Sequence, residues 1–525
     1  MENSLLTSST GKQWSKVGVR PHHGIVIPLF SLHSEQSCGI GEFPDLIPMI
    51  GWCQKVGFDV IQLLPLNDLG RETSPYGALS AFALNPIHLG LTALPFVTDF
   101  PDLLSQIPMH SLSQSQRIDY PKVYAAKEQF LQKYFLLAGQ RLISTSAYKE
   151  FVQSNPWLED YALFKALKVK NQWKIWEDWD AAERDIDQST YQTLLQQYSD
   201  EIQFHIFVQY VCFQQWSDVK KEAESKHVFL KGDIPILINR DSADVWHNRS
   251  LFVMEYSAGA PPDMYAQEGQ NWGFPLYNWS EIEKTGYAWW KERLKVAEGL
   301  YHIYRIDHIV GFFRLWAIRG KQTGRYGQFI PADYAEWIPL GEKIMRMMIE
   351  NCAALPIGED LGTVPPEVRQ LMRNMGIAGT RVMRWERMWN EDKRFVRFED
   401  YILESMTTVS THDSETLQQW WVNNQQEAKD FSNFKNWAYE SNLSYDKHLE
   451  ILRDSHHTAS LFHINLLQEY LVLVPGMGWP DLNDERINVP NVVSDKNWSY
   501  RFRPSVEEII SSDSLQKVIQ RTKGH

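Results

Sequence analysis

The chain has 525 residues, 43% of them hydrophobic and 22% charged, a composition that supports a globular protein with a large core. Its formal net charge of −13 argues against nucleic acid or an anionic membrane surface as partner, since both reward clustered Lys and Arg. No apolar run approaches the ~20 residues of a spanning helix, and residues 1–20 are polar, without the hydrophobic stretch of a secretory signal. The expectation is a soluble, cytoplasmic protein with a neutral substrate. Cys38, Cys53, Cys212 and Cys352 are scattered without metal-ligand spacing and read as reduced, buried thiols. The 21 tryptophans suit the apolar faces of sugar rings, although most Trp in any chain pack in the core.

In chain order, short apolar segments bounded by turn residues fall at 24–30, 60–66, 233–238, 304–309, 355–358, 379–384, 407–411 and 471–474. Eight such runs, most separated by helix-like stretches, predict a (β/α)8 TIM barrel of the α/β class. Residues 1–66 are then the first part of the barrel and 227–525 the remainder. The gap after the second run far exceeds an ordinary crossover, so residues 67–226 are expected to form an inserted subdomain. Val123, Phe130, Leu131, Tyr134 and Phe135 recur in it at helical spacing, as do Phe204, Phe207, Val208 and Val211, which makes the insert mostly helical. A second insertion, 241–290, follows the third strand and should cover the pocket, because loops after barrel strands face the active site. His22 and His23, and likewise His456 and His457, read as loop residues. The last dozen residues are expected to fray.

Three carboxylates stand at the ends of strand-like runs: Asp307 on the fourth, Glu359 on the fifth and Asp413 on the seventh. A barrel delivers side chains from successive strand ends into one pocket, so acids far apart in sequence can share one task. Glycosyl transfer needs such a set: a nucleophile, an acid for the leaving oxygen, and a charge that steadies the oxocarbenium-like transition state. Arg305 precedes Asp307 by two residues, which puts both on one strand face, and a fixed cation favours the charged form that a nucleophile needs. Glu359 and Asp360 are adjacent and must face opposite ways, so only one enters the pocket, and Glu359 is our choice. His412 stands beside Asp413 as a donor for sugar hydroxyls.

Further motifs sharpen this reading. They are Ser74-Pro75-Tyr76 continuing through Ser80, Ala81, Phe82, Asn85 and Pro86; Gly232 to Pro235; Asp244 to Trp246; Gly259 to Asp263; Gly269, Gln270, Trp272 and Gly273; Gly358 to Gly362; Thr411 to Asp413; and Arg486, Asn488, Pro490, Asn497, Trp498 and Arg501. In these stretches the chain resembles the 4-α-glucanotransferases (amylomaltases, or disproportionating enzymes) of the α-amylase superfamily, over about 24–501. The resemblance implies that Asp307 is the nucleophile, Glu359 the acid/base and Asp413 the transition-state stabiliser. It also implies that Arg305, His412, Asp233 and Tyr76 bind the donor sugar, with Asp263 and Trp272 in the covering loop. It implies transfer between maltooligosaccharides, glucan chains and glucose as acceptor, with no cofactor and no metal. Departures from the family pattern occur at Arg71, Met264, Tyr265, Phe274 and Ser414. The rival readings are an α-glucan hydrolase using the same acids and a non-catalytic glucan-binding protein.

Overall fold

A computed structural model describes residues 2–107, 112–113, 115–262, 267–389 and 391–524. Eight parallel strands make one sheet: β1 (His22–Val26), β2 (Val60–Gln62), β3 (Phe229–Ile234), β4 (Ile303–Ile306), β5 (Leu355–Gly358), β6 (Gly379–Val382), β7 (Ser405–Thr408) and β8 (Phe462–Leu466). Their order is β5-β4-β3-β2-β1-β8-β7-β6. A bridge between Ile357 and Ala378 joins the two ends. There the Gly358 N–H donates to the Ala378 carbonyl across 2.8 Å, so the sheet closes on itself. Helices cover the outside and side chains fill the inside, which is why β2, β4, β5, β6, β7 and β8 are buried at every residue.

Two strands differ from the sequence expectation. The third begins at Phe229, four residues before the predicted run. The eighth is Phe462–Leu466, and residues 471–474 instead continue the turn of helix after Gln468–Leu471. The reason is that β8 alternates. Ile464 and Leu466 face the cavity, whereas Asn465 faces outward, giving its amide N–H to Ser455 and Tyr470 and accepting from the Val409 N–H. Polar residues satisfied in this way interrupt the apolar run that sequence reading looks for. His22 and His23 are likewise not loop residues but open β1. His23 Nδ1 lies 3.0 Å from His456 Nδ1, and the His23 and His463 rings stack at 4.9 Å. His456 Nε2 lies 2.6 Å from the Tyr470 hydroxyl.

Between β2 and β3 the chain runs mostly through helices, among them Tyr120–Ile143, Trp157–Lys170 and the 27-residue Ser199–Ser225. Ser199–Ser225 packs along both Trp157–Lys170 and the barrel helix Leu46–Val56, so it belongs to the ring as much as to the segment it ends. After β3, Tyr256–Ala260 and Gln270–Asn271 form a four-stranded antiparallel sheet with Leu315–Arg319 and Gln328–Ile330, which follow β4. The first pair is tight: a Cβ on Gly259 would come within 1.9 Å of the Gln270 carbonyl oxygen, so only glycine fits. The end of the chain does not fray as expected. Asp513–Thr522 is a helix capped by Ser512, and it buries Leu515, Val518, Ile519 and Thr522, spaced to share one face. Among the described residues no helix is long and apolar enough to cross a membrane.

Candidate active site

At the carboxyl end of the barrel a cavity of about 520 Å³ is lined by Tyr76, Trp272, Arg305, Asp307, Glu359, His412 and Asp413, among others. The strands deliver them as the topology requires. Arg305 is inside β4 and Asp307 follows it; Glu359 follows β5; His412 and Asp413 follow β7. The register pairs Asp233 on β3 directly with Arg305 on β4.

Arg305 is the hub. Its Nη1 donates to both oxygens of the buried Asp233, at 2.9 and 2.8 Å, and its Nη2 lies 2.9 Å from Asp307 Oδ1 and 3.8 Å from Glu359 Oε2. One guanidinium nitrogen thus stands between two carboxylates, whose nearer oxygens can be no farther apart than those two legs together. Burial works against the charge on Arg305, but Asp233 and then Asp307 outweigh it and hold its pKa well above the ordinary value.

Glu359 turns inward and Asp360 outward. The Glu359 carboxylate accepts from the backbone N–H groups of His308 (3.0 Å) and Leu361 (2.8 Å). Burial nevertheless pushes its pKa up to about 7; Asp307 adds to that push, while Arg305 and the two N–H groups oppose it. Asp360 is 1% exposed and meets Arg381 Nη1 with both oxygens at 2.9 Å, and Arg369 Nε at 3.0 Å.

Around the other side, the Tyr76 hydroxyl donates to Asp233 Oδ2 at 2.9 Å and lies 3.0 Å from His412 Nε2. Its ring stacks on His412, with centroids 5.6 Å apart. His412 Nε2 also stands 3.2 Å from Asp413 Oδ2. Burial lowers the pKa of His412, but the Asp413 charge and hydrogen bond raise it further, for a net upward shift. Burial raises Asp413, yet His412 and Asn488 together hold it well below the carboxylate range. Trp272 forms part of the cover, edge-on to His308 at 5.1 Å, with its indole N–H on Gln270 Oε1 at 3.0 Å. Asp263 lies outside the described residues.

Several residues that contact the carboxylates or line the cavity are not singled out by sequence reasoning. Asn488, quoted only as part of a motif, donates to Asp413 Oδ1 at 2.7 Å, and Arg486 donates to the Asp413 carbonyl at 3.0 Å. Val26, Gln62, Met406, Thr408, Ile464 and Leu466 line the same cavity from inside the barrel, and Trp385 lines it after β6. Only strand alternation pointed to these, and it does not separate the two faces of a strand buried on both. Among the described residues no group of three or more His, Cys, Asp or Glu could hold a metal.

Comparison with known proteins bears on the family and the fold. The family model described as 4-alpha-glucanotransferase matches residues 27–507. The 4-alpha-glucanotransferase of Chlamydia pneumoniae is 45% identical over 98% of this chain and 97% of its own length, and that of Synechocystis is 30% identical over 92% and 94%. In fold, the chain is similar to the amylomaltase from Streptococcus agalactiae solved in complex with acarbose, with a TM-score of 0.82 at 24% identity, covering 96% of this chain and 99% of that one. A catalytic barrel matched along nearly its whole length by these relatives is a member of the 4-α-glucanotransferase family.

Proposed function

We propose that the protein transfers α-1,4-glucan segments from a donor maltooligosaccharide to the 4-hydroxyl of another glucan or of glucose, by retaining double displacement. The observation that carries this is the single Arg305 nitrogen between Asp307 and Glu359. It gathers the two acids closely, as suits retaining enzymes, whose carboxyls stand about 5–5.5 Å apart, rather than the wider gap that admits a water.

Asp307 attacks the anomeric carbon while Glu359, which burial raises to about 7 so that a large share of it still carries its proton near neutral pH, gives that proton to the departing glycosidic oxygen. The C–O bond to the leaving glucan breaks as the ester to Asp307 forms. Glu359, now ionised, takes the proton of the incoming 4-hydroxyl, which displaces Asp307 and regenerates the enzyme. Asp413, kept charged by His412 and Asn488, faces the positive charge that develops on the sugar ring. Tyr76, Asp233, Arg305 and His412 hold the donor glucosyl unit. Trp272 closes over it and limits water. No step calls for a cofactor. Four buried free thiols suit a reducing cytoplasm, and the helical stretch 67–226 serves as an insertion in the barrel.

Maltotriose as sole substrate tests the reading. Transfer gives glucose together with a ladder of longer chains, with no net gain in reducing ends. Reducing ends rising in step with maltotriose loss, and no product longer than the substrate, would make the protein a hydrolase instead.

A further inference from the structure

Beneath the carboxylates the barrel holds a cation that the transfer mechanism does not use. Lys231 lies two residues before Asp233 on β3, so both point inward, with Lys231 one layer deeper. It is 0% exposed. Its Nζ donates to Gln62 Oε1 across 2.6 Å and lies 3.1 Å from Met406 Sδ. Among the described residues no carboxylate pairs with it directly. Burying an ammonium costs several kcal/mol, and a neutral amide and a thioether are poor compensation. A position so costly, directly under an active site, calls for a function.

That function can be read in the partner. An ammonium has only donors, so the amide atom it meets must be the oxygen. The orientation of the Gln62 amide, which a neutral environment would leave open, is thereby settled, and Nε2 is turned away from the lysine. Gln62 is the register partner of Lys231, and it lines the cavity with Val26, Met406 and Thr408. Among the described residues its Nε2 has no acceptor. A free donor of fixed orientation in the wall of a sugar site is suited to a hydroxyl.

We propose that Gln62 Nε2 donates to a hydroxyl of the deepest-bound glucosyl unit, and that Lys231 is the positioning residue that turns the amide nitrogen, rather than its oxygen, towards the sugar. The proposal rests on the glucan-transfer reading and adds a specificity determinant to it.

The test uses α-glucosyl fluoride and its 2-, 3-, 4- and 6-deoxy analogues as donors, with maltose as acceptor, at pH 6. That is below the value of about 7 to which burial and Arg305 push Lys231, with Asp233 opposing, so the ammonium is present. A site built to bond a hydroxyl penalises the analogue that lacks it by about 10-fold or more. One deoxy penalty of that size should vanish in Gln62→Met, while the other three persist. Lys231→Met should lose part of the same penalty and Lys231→Arg should keep it. In the Gln62→Met background Lys231→Met should cost nothing further, because the two act as a unit. The double variant removes both polar partners at once, which keeps the core satisfied if either single variant folds poorly. All four penalties intact in the folded double variant, or additive losses in the cycle, would overturn the assignment. Failure of the parent protein to transfer from the undeoxygenated fluoride would instead count against the glucan-transfer reading itself.

Discussion

The side-chain amide of Asn488 reaches Asp413 from 75 residues farther along the chain and donates to its Oδ1 across 2.7 Å. With His412 on the other oxygen, it keeps Asp413 acidic. Asn488→Ala should therefore move the acid limb of the rate profile to higher pH, because Asp413 would take up a proton sooner. Loss of a hydrogen bond to a charged group, roughly 1.5–3 kcal/mol, corresponds to a fall in kcat of about 10-fold or more. An unchanged acid limb in kcat against pH would mean that Asn488 only shapes its loop.

On the alkaline side the proposed acid sets the limit. Glu359 is raised to about 7, so the rate should decline as pH rises through that value and the proton is lost. Glu359→Gln should abolish transfer from maltotriose yet retain formation of the glucosyl enzyme from α-glucosyl fluoride, whose leaving group needs no proton. If both donors are lost equally in a folded variant, another group is the acid.

Asp307→Asn replaces the proposed nucleophile by an amide of the same shape. Turnover of maltotriose should fall by ~10³-fold or more, with the melting temperature close to that of the parent. Retention of more than a tenth of the parent rate would remove Asp307 from the nucleophile's role.

Trp272 packs edge-on against His308 above the carboxylates, so its removal opens the cavity to water. In Trp272→Ala the share of glucosyl enzyme captured by water should rise, measured as reducing ends formed per maltotriose consumed. A fall in both reactions at constant ratio would assign Trp272 to substrate binding alone.

Stability at low pH should depend on the histidines at the other end of the barrel. Burial, with neighbouring His463, lowers His23 from 6.5 to about 3, and burial chiefly lowers His463 to about 4. Their folded-state values lie below the unfolded one, so the neutral cluster contributes its full stability above about pH 6.5 and loses it as pH falls towards 4. His23→Gln removes one of these groups. Its melting temperature should drop less between pH 7 and pH 4.5 than that of the parent, and parallel curves would show that the cluster does not govern acid sensitivity.

Much of this site was legible before the fold was known, for a physical reason. A parallel barrel places strand ends in a ring, so Asp307, Glu359 and Asp413 could be grouped from their positions alone, whereas alternation required only that one of Glu359 and Asp360 enter the pocket and did not say which. What escaped depends on information a local pattern lacks. The residues Gln62, Met406 and Leu466 look like any buried strand residues, because both faces of such a strand are covered. β8 was missed because Asn465 is satisfied by Ser455 and Tyr470, partners on other elements. The cover strands Leu315–Arg319 and Gln328–Ile330 complete a sheet begun some 60 residues earlier, as the pairing of Tyr256 with Arg319 shows, and nothing near them in sequence announces it.

The seam between β5 and β6 is laced largely by side chains. Beyond the one bridge, Asp360 Oδ1 accepts from the Thr380 N–H at 2.7 Å, and Thr380 Oγ1 donates to the Gly358 carbonyl at 3.1 Å. Asp360 thus fastens the barrel shut on the outside while its neighbour Glu359 serves the chemistry inside, two duties carried by consecutive residues with no slack between them. A loosened fastening would swing the acid as a door swings on a failed hinge. Asp360→Asn should then give faster amide exchange along β6 together with lower activity, a mechanical fault in the wall felt as a chemical one in the pocket.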